Sequence, residues 1–278
     1  MINRLRQMFR ASGASGAAMD AAGGGAAAVP AGTRVYAVGD IHGRLDLFSA
    51  LVDAIEADDA AACARTGPAE TTVILLGDLI DRGPDSAGVL GLAREWRSHR
   101  RVRILCGNHE EMLLQSFDNV EVLRHFLRHG GRETVLSFGI DEAAYVEATF
   151  EQVQEMMRAT VPQAALDFVA SFEDVVRIGD YAFVHAGVRP GVPLDAQRQA
   201  DLRWIRESFL ASAAAHEAVI VHGHTISDAV ELHPNRIGID TGAYLSGVLT
   251  ALCLEGSARR LIEARGGVDG VTIGHVPL

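Results

Sequence analysis

Three runs in the first part of the chain, Thr33–Val38, Thr72–Leu76 and Val102–Cys106, are β-prone and nearly continuous in apolar character. Strands of that kind are covered on both faces, because a half-exposed strand would alternate apolar with polar residues. Between them lie two helical spans. Arg44–Ala57 carries Leu45, Phe48, Leu51, Val52 and Ile55 at helical spacing, and Asp85–Trp96 follows the second strand run. Strand, helix, strand, helix, strand with short links predicts parallel pairing through right-handed crossovers.

The rest of the chain is read around that unit. Residues 110–172 form a mostly helical insert over one end of the sheet. Further strand-like runs follow at Asp174–Ile178, Tyr181–Val184, Val219–Val221, Arg236–Ile239 and Gly247–Leu254, with Arg259–Ala264 as an edge strand; this half reads as more antiparallel. Residues 1–32 differ. Ala11–Gly32 is almost all Ala, Gly and Ser without periodicity, so 1–32 is expected to be a disordered tail and 33–278 the domain. The first ten residues could form a weak amphipathic, membrane-surface helix, but a frayed terminus is the preferred reading. They contain no apolar signal region, and Ile2 rather than Gly excludes the myristoylation motif.

Composition narrows the function classes. Of 278 residues 48% are apolar, enough for a large core, yet no stretch approaches a membrane span. The net charge of −11 argues against nucleic acid or an anionic membrane as a partner. An anionic substrate would then need local positive charge from metals or placed arginines. Cys63, Cys106 and Cys253 are scattered and odd in number, which predicts neither a disulfide framework nor a structural zinc site and suits the cytoplasm.

Five short motifs stand at the carboxyl ends of the expected strands: Gly39-Asp-Ile-His-Gly43, Gly77-Asp-Leu-Ile-Asp-Arg-Gly83, Gly107-Asn-His-Glu110, His185-Ala-Gly187 and His222-Gly-His-Thr225. Ligand sites of α/β sheets lie beyond those strand ends. Asp40, His42, Asp78, Asn108, His185 and His224 form a mixed oxygen and nitrogen donor set without thiolate. That set suits Mn, with Fe or Zn as alternatives, better than Ca or Mg. It has too many donors for one tetrahedral ion, and two ions sharing a carboxylate roughly 3.5–4 Å apart is the economical solution. His99, His125, His129, His216, His233 and His275 have no motif around them and are read as ordinary residues. His222 is read as a group behind His224. Arg189 and Tyr244 are candidates for the substrate mouth.

In motif order and context the chain resembles the calcineurin-like metallophosphoesterases, and within them the serine/threonine phosphoprotein phosphatases of bacteria and bacteriophages. The resemblance covers about Thr33 to Leu254. It includes Ile239-Asp-Thr-Gly-Ala-Tyr244, Ser246-Gly-Val-Leu-Thr250 and His129-Gly-Gly-Arg132. It implies an α/β chain of the α+β type, with two mixed β-sheets in a sandwich flanked by helices and a dimetal site at one edge. It further implies that Asp40, His42 and Asp78 bind the first of two divalent ions, with Asp78 bridging to a second held by Asn108, His185 and His224. Arg82 and Arg206 match phosphate-gripping positions, His109 the general acid, and Asp81 its orienting partner. The implied reaction is in-line attack of a metal-bridging hydroxide on a phosphate monoester, with phosphoserine or phosphothreonine in a phosphoprotein as substrate. Without the long C-terminal tail of eukaryotic members, no regulatory subunit is expected.

Other readings remain open. A symmetrical diadenosine tetraphosphatase shares the metal site, but that branch generally lacks an aspartate at the Asp81 position and often has GNHD where this chain has Gly107-Asn-His-Glu110. A small-molecule phosphoesterase is a broader alternative. A non-catalytic binding module would be marked by missing ligands, and none is missing.

Overall fold

The computed structural model describes residues 26–278; the N-terminal helix reading and the tail through residue 25 lie outside the described residues. Strands β1 (Thr33–Val38), β2 (Glu70–Leu75) and β3 (Val102–Ile104) pair in parallel, as their apolar character requires. Helices α1 (Leu45–Thr66) and α2 (Ser86–His99) connect them. The first helix runs nine residues beyond the expected Ala57. Its extension is rich in alanine, a strong helix former that adds little to an apolar stripe. Asp85 caps the second helix by accepting from Gly88 N.

Six further helices build the insert: α3 (Asn108–Ser116), α4 (Val120–Phe126), α5 (Arg132–Ser137), α6 (Glu142–Glu147), α7 (Phe150–Thr160) and α8 (Gln163–Ala170). A second sheet comes from β4 (Val176–Ile178), β5 (Tyr181–Phe183), β6 (Val219–His222), β7 (Glu231–Leu232) and β8 (Arg236–Gly238), in the order β4-β5-β6-β8-β7. Helices α9 (Gln199–Trp204) and α10 (Glu207–Leu210) lie between β5 and β6 in the chain, and α11 (Ala243–Ser246) follows β8. The last strands, β9 (Val248–Glu255), β10 (Ala258–Gly267) and β11 (Gly270–Pro277), return to the first sheet, whose order is β11-β10-β9-β1-β2-β3.

The architecture is therefore the expected pair of mixed sheets with helices. Two details differ. The second sheet is parallel at its centre, β5 with β6 and β6 with β8, and antiparallel only at its two edges. And β10 is not an edge strand. A tight hairpin over Val268 and Asp269 turns the chain into β11, which pairs with β10 from Arg260 to Gly267 and takes the edge. In β11 only Val271 and Gly274 are even half-buried, so the strand lacks the apolar signal by which the others are read.

Strand periodicity sorts the core. In β1, Tyr36 and Val38 face α1 and α2, while Val35 and Ala37 face the second sheet. In β2, Val73 and Leu75 share the first face and Ile74 the second. Tyr181, Phe183, Val221 and Ile237 meet them from the second sheet. Beyond that sheet, Ala182, Val184 and Ile220 pack on Leu202, Ile205 and Phe209 of the α9–α10 segment. Part of the segment read as tail belongs to this core. Val29 is buried, its N–H donates to Gly256 O at 3.0 Å, and the Tyr181 hydroxyl donates to Ala27 O at 3.0 Å. The apolar Val29 has a sheet to cover; the flanking alanines only hide that in the sequence.

One charged residue lies within this packing. Arg34 on β1 is fully buried and donates to Asp59 on α1 at 2.5 Å and to Glu255 on β9 at 2.8 Å. Asp59 also accepts from Arg100 and from Thr71. Removing one member of a buried pair strands the other. Arg34→Ala is expected to lower the unfolding free energy by about 3 kcal/mol, the low end for such a loss because Asp59 keeps two partners. Urea denaturation measures it, and a change under about 1 kcal/mol would contradict the buried-pair argument.

Candidate metal centre

Parallel pairing brings the ends of β1, β2 and β3 to one edge, and β5 with β6 brings two more. All five motifs sit there, tied loop to loop. Asp78 O accepts from Ile41 N at 3.1 Å and His42 N at 2.9 Å, and His185 O accepts from Gly223 N at 2.8 Å. Glu110, fully buried, binds the β2 loop to the β3 loop. Its carboxylate accepts from Asp78 N and Leu79 N, both at 2.8 Å, and from Gly107 N at 2.9 Å. Burial, then the Asp78 charge, push this carboxyl up; its backbone donors oppose them.

Every non-glycine residue with positive φ among the described residues belongs to this edge: His42 (46°), Asp78 (49°), Asp81 (73°), Arg82 (67°) and His224 (64°). Such conformations cost energy in any residue with a Cβ and persist only where surrounding bonds impose them. Gly223 meets a steric demand of another kind. A Cβ there would stand 2.0 Å from Asp40 Oδ1.

Two tight clusters of ligand atoms form, one of His42, Asp78 and His109, the other of Asp78, His185 and His224, all buried. Asp78 belongs to both. Its Oδ2 lies 3.6 Å from His42 Nε2 and 3.8 Å from His109 Nε2, and its Oδ1 lies 3.5 Å from His185 Nε2. Asn108 Oδ1 lies 3.1 Å from His185 Nε2, so it joins the second cluster. Asp40 belongs to neither; its carboxylate accepts from His224 N at 3.1 and 3.2 Å. His222 is buried behind the site, 3.4 Å from Arg236 Nη1. Arg189 is held by Asp201 at 2.6 Å rather than in the site.

The donors fit a cation. His42 Nδ1 donates to Ile80 O at 2.7 Å and His185 Nδ1 to Leu76 O at 2.8 Å, which leaves each Nε2 a bare lone pair aimed inward. Burial keeps these imidazoles uncharged: His42 is lowered to about 3, and His185 and His224 are lowered as well. His185 Nε2 thus faces Asn108 Oδ1, an Asp78 oxygen and, at 3.2 Å, His224 Nδ1. His224 Nε2 is buried with no partner. Burial works against a charge on Asp78, but in acid the imidazoles around it, His185 foremost, take up protons first and hold its carboxyl below the usual range. Asp40 is pushed well above that range, by burial first and then by Asp240 and Asp78. Converging lone pairs and crowded carboxylates in a dry site are what bound divalent ions relieve.

Residues 33–278 match the sequence profile of the calcineurin-like phosphoesterases. The chain belongs to that family. It is a metal-dependent phosphoesterase; the family uses two divalent ions, and the structure offers a candidate site. This phosphoesterase is 32% identical over 225 residues to serine/threonine-protein phosphatase 1 of Salmonella typhimurium, a match covering 78% of this chain and 89% of the relative. It is 25% identical over 235 residues to bis(5'-nucleosyl)-tetraphosphatase PrpE (asymmetrical) of Bacillus velezensis, covering 77% and 86%. Its fold is similar to the crystal structure of a putative diadenosine tetraphosphatase, with a TM-score of 0.56 and 19% identity over 91% of this chain and 98% of the other. Among the described residues of the phosphoesterase no helix is long and apolar enough to cross a membrane.

Of the remaining candidates, Asp81 and Arg82 are grouped around His109, itself a member of the first cluster. His109 Nδ1 is 2.5 Å from Asp81 Oδ2, and its Nε2 is 3.0 Å from Arg82 Nη2. Burial opposes a charge on this ring, but the Asp78 and Asp81 carboxylates outweigh it and raise its pKa. Burial also raises Asp81. Both shifts favour a proton held between the two. Arg206 is exposed, and its charge adds to the burial that lowers both His185 and His224.

Sequence reasoning gave no role to Glu110, Thr134, Ser86 or Asp240. The Thr134 hydroxyl donates to Asp81 Oδ1 at 2.5 Å, and Asp81 N donates to Thr134 Oγ1 and Ser86 Oγ, both at 2.9 Å. Glu110 could have been found as the last residue of its motif; Thr134 lies in an insert without a readable motif.

A methyl group at position 223 displaces a flexible carboxylate, not backbone. Gly223→Ala is therefore expected to fold with a near-parental melting temperature without metal but to bind Mn²⁺ about 10- to 100-fold more weakly. Equilibrium dialysis measures this, and an unchanged affinity would remove Asp40 from the centre.

Proposed function

We propose that this phosphoesterase hydrolyses phosphate monoesters, in particular phosphoserine and phosphothreonine of proteins. Asp40, His42 and Asp78 would hold one divalent ion, and Asp78, Asn108, His185 and His224 a second, with Mn²⁺ the proposed occupant. Bound there, such ions supply Lewis acidity, providing an activated water as nucleophile and positive charge against the phosphoryl oxygens.

The chain's own groups do the rest. Arg82 and Arg206 offer guanidinium forks that match phosphate geometry, where a lysine would offer only a point charge. Asp81 holds a proton at His109 Nδ1. His109 Nε2 gives its proton to the serine or threonine oxygen as the phosphorus–oxygen bond breaks, so the products are the free hydroxyl and phosphate. That nitrogen stands 3.0 Å from Arg82 Nη2. A phosphate is a stronger acceptor for Arg82 than a ring nitrogen, so the bound substrate frees Nε2 to carry its proton.

The observation that carries this reading is the buttressed His109–Asp81 pair. An alkoxide is a poor leaving group and needs a firmly held acid. A nucleoside polyphosphate leaves more easily and needs that support less. Cleavage of dinucleoside tetraphosphates is the second reading, favoured by the names of the Bacillus relative and of the fold neighbour. A small-molecule phosphoester is a third, with the same metal site.

The test uses Mn²⁺-loaded protein with a phosphothreonine peptide, p-nitrophenyl phosphate and diadenosine tetraphosphate. Turnover of the peptide should exceed that of the nucleotide. Asp81→Asn should lower kcat on the peptide about 100-fold and on p-nitrophenyl phosphate, whose leaving group needs little protonation, by less than about 10-fold. Preferential nucleotide cleavage, giving ADP alone or ATP with AMP, would move the enzyme to the second reading.

A further inference from the structure

We propose that Tyr244 is a positioning residue for Arg82, holding the guanidinium so that its edge stays available to a substrate phosphate. The inference rests on the reading of Arg82 as a phosphate grip. Arg82 is half-buried, with φ at 67°, and its Cζ lies 4.7 Å from the centre of the Tyr244 ring. A guanidinium stacked on a phenol ring is bound through its face, and its N–H groups, which lie in the plane, remain free at the edge.

The backbone of Arg82 is fixed separately. Arg82 N donates to Gly130 O at 3.0 Å. Gly130, with φ at 107°, sits so close that a Cβ there would meet Arg82 Cγ at 2.6 Å and Arg82 N at 2.8 Å. The insert thus grips the main chain from one side, and Tyr244 meets the side chain from the β8–β9 connection.

Tyr244 is itself held firmly. It lies on α11, four residues long and bounded by the left-handed Gly242 and Gly247. Gly242 N donates to Asp240 Oδ1 at 2.9 Å, and Arg44 Nη1 donates to Ala243 O at 2.9 Å. The ring also stands edge-on to His42, 5.3 Å between centroids.

The need for such a hold is one of side-chain freedom. Among the described residues the Arg82 side chain has one hydrogen bond, from Nη2 to His109 Nε2 at 3.0 Å. A long side chain held at one atom keeps most of its rotamer freedom, and its phosphate-binding edge would not stay in place. Stacking on Tyr244 restrains it without adding a charge or a competing hydrogen bond.

The test is a set of Ki values for inorganic phosphate as competitive inhibitor of p-nitrophenyl phosphate hydrolysis by the Mn²⁺-loaded enzyme. Tyr244→Leu should raise that Ki and the KM about 10-fold with a smaller effect on kcat, while Tyr244→Phe, which keeps the ring, stays within about 2-fold. In an Arg82→Ala background, Tyr244→Leu should add nothing. A Ki for Tyr244→Leu within about 2-fold of the parent, equal loss in the Phe variant, or additive losses in the double variant would each overturn the inference. If Arg82→Ala alone leaves the phosphate Ki unchanged, the grip reading fails and this inference with it, an outcome distinct from failure at Tyr244.

Discussion

Asp78 has to remain ionised in a place where water barely reaches it, with each of its oxygens facing a different set of imidazoles. It is 2% exposed, and its backbone is in the left-handed region. Neither condition is stable by itself. The Glu110 carboxylate fixes the amides of Asp78 and Leu79, and the β1 loop bonds to the Asp78 carbonyl. Parallel pairing of β1, β2 and β3 is what sets these loops side by side. The sheet order can thus be understood as the means of presenting one carboxylate to two clusters.

The insert contributes more than cover. Its Thr134 and Gly130 reach the two consecutive left-handed residues, Asp81 and Arg82, one through a hydroxyl and the other through a carbonyl. The proposed acid and the proposed phosphate grip are therefore set by one short stretch of the insert, from Gly130 to Thr134 on α5. For a protein of net charge −11 this matters. The overall field repels a phosphate, so attraction has to come from a few cations held within angstroms of the site. Arg82 lies against the clusters, and Arg206 stands close enough to affect two of their imidazoles.

Much of the fold was legible because its signals are local. The strands β1 to β3 are apolar on both faces, and the residues at their carboxyl ends are short motifs with metal-ligand chemistry. What escaped has a physical reason in each case. Strand β11 buries almost nothing, so no pattern marks it. Val29 is a single apolar residue among alanines, and only the sheet it covers gives it meaning. Thr134 works through one hydroxyl across a large sequence separation, which no spacing rule detects. The family resemblance groups Asp40 with His42, yet its carboxylate accepts from the His224 amide. Five motifs can announce a metal centre, but the orientation of each donor depends on neighbours that come together only in the folded chain.

The central claim is that one carboxylate joins two metal positions. Anomalous diffraction from crystals of the full chain grown with Mn²⁺ tests it most directly. Two peaks flanking Asp78, one beside His42 and Asp40 and the other beside Asn108, His185 and His224, are the result this account predicts. A single peak, or peaks that do not share Asp78, would contradict it.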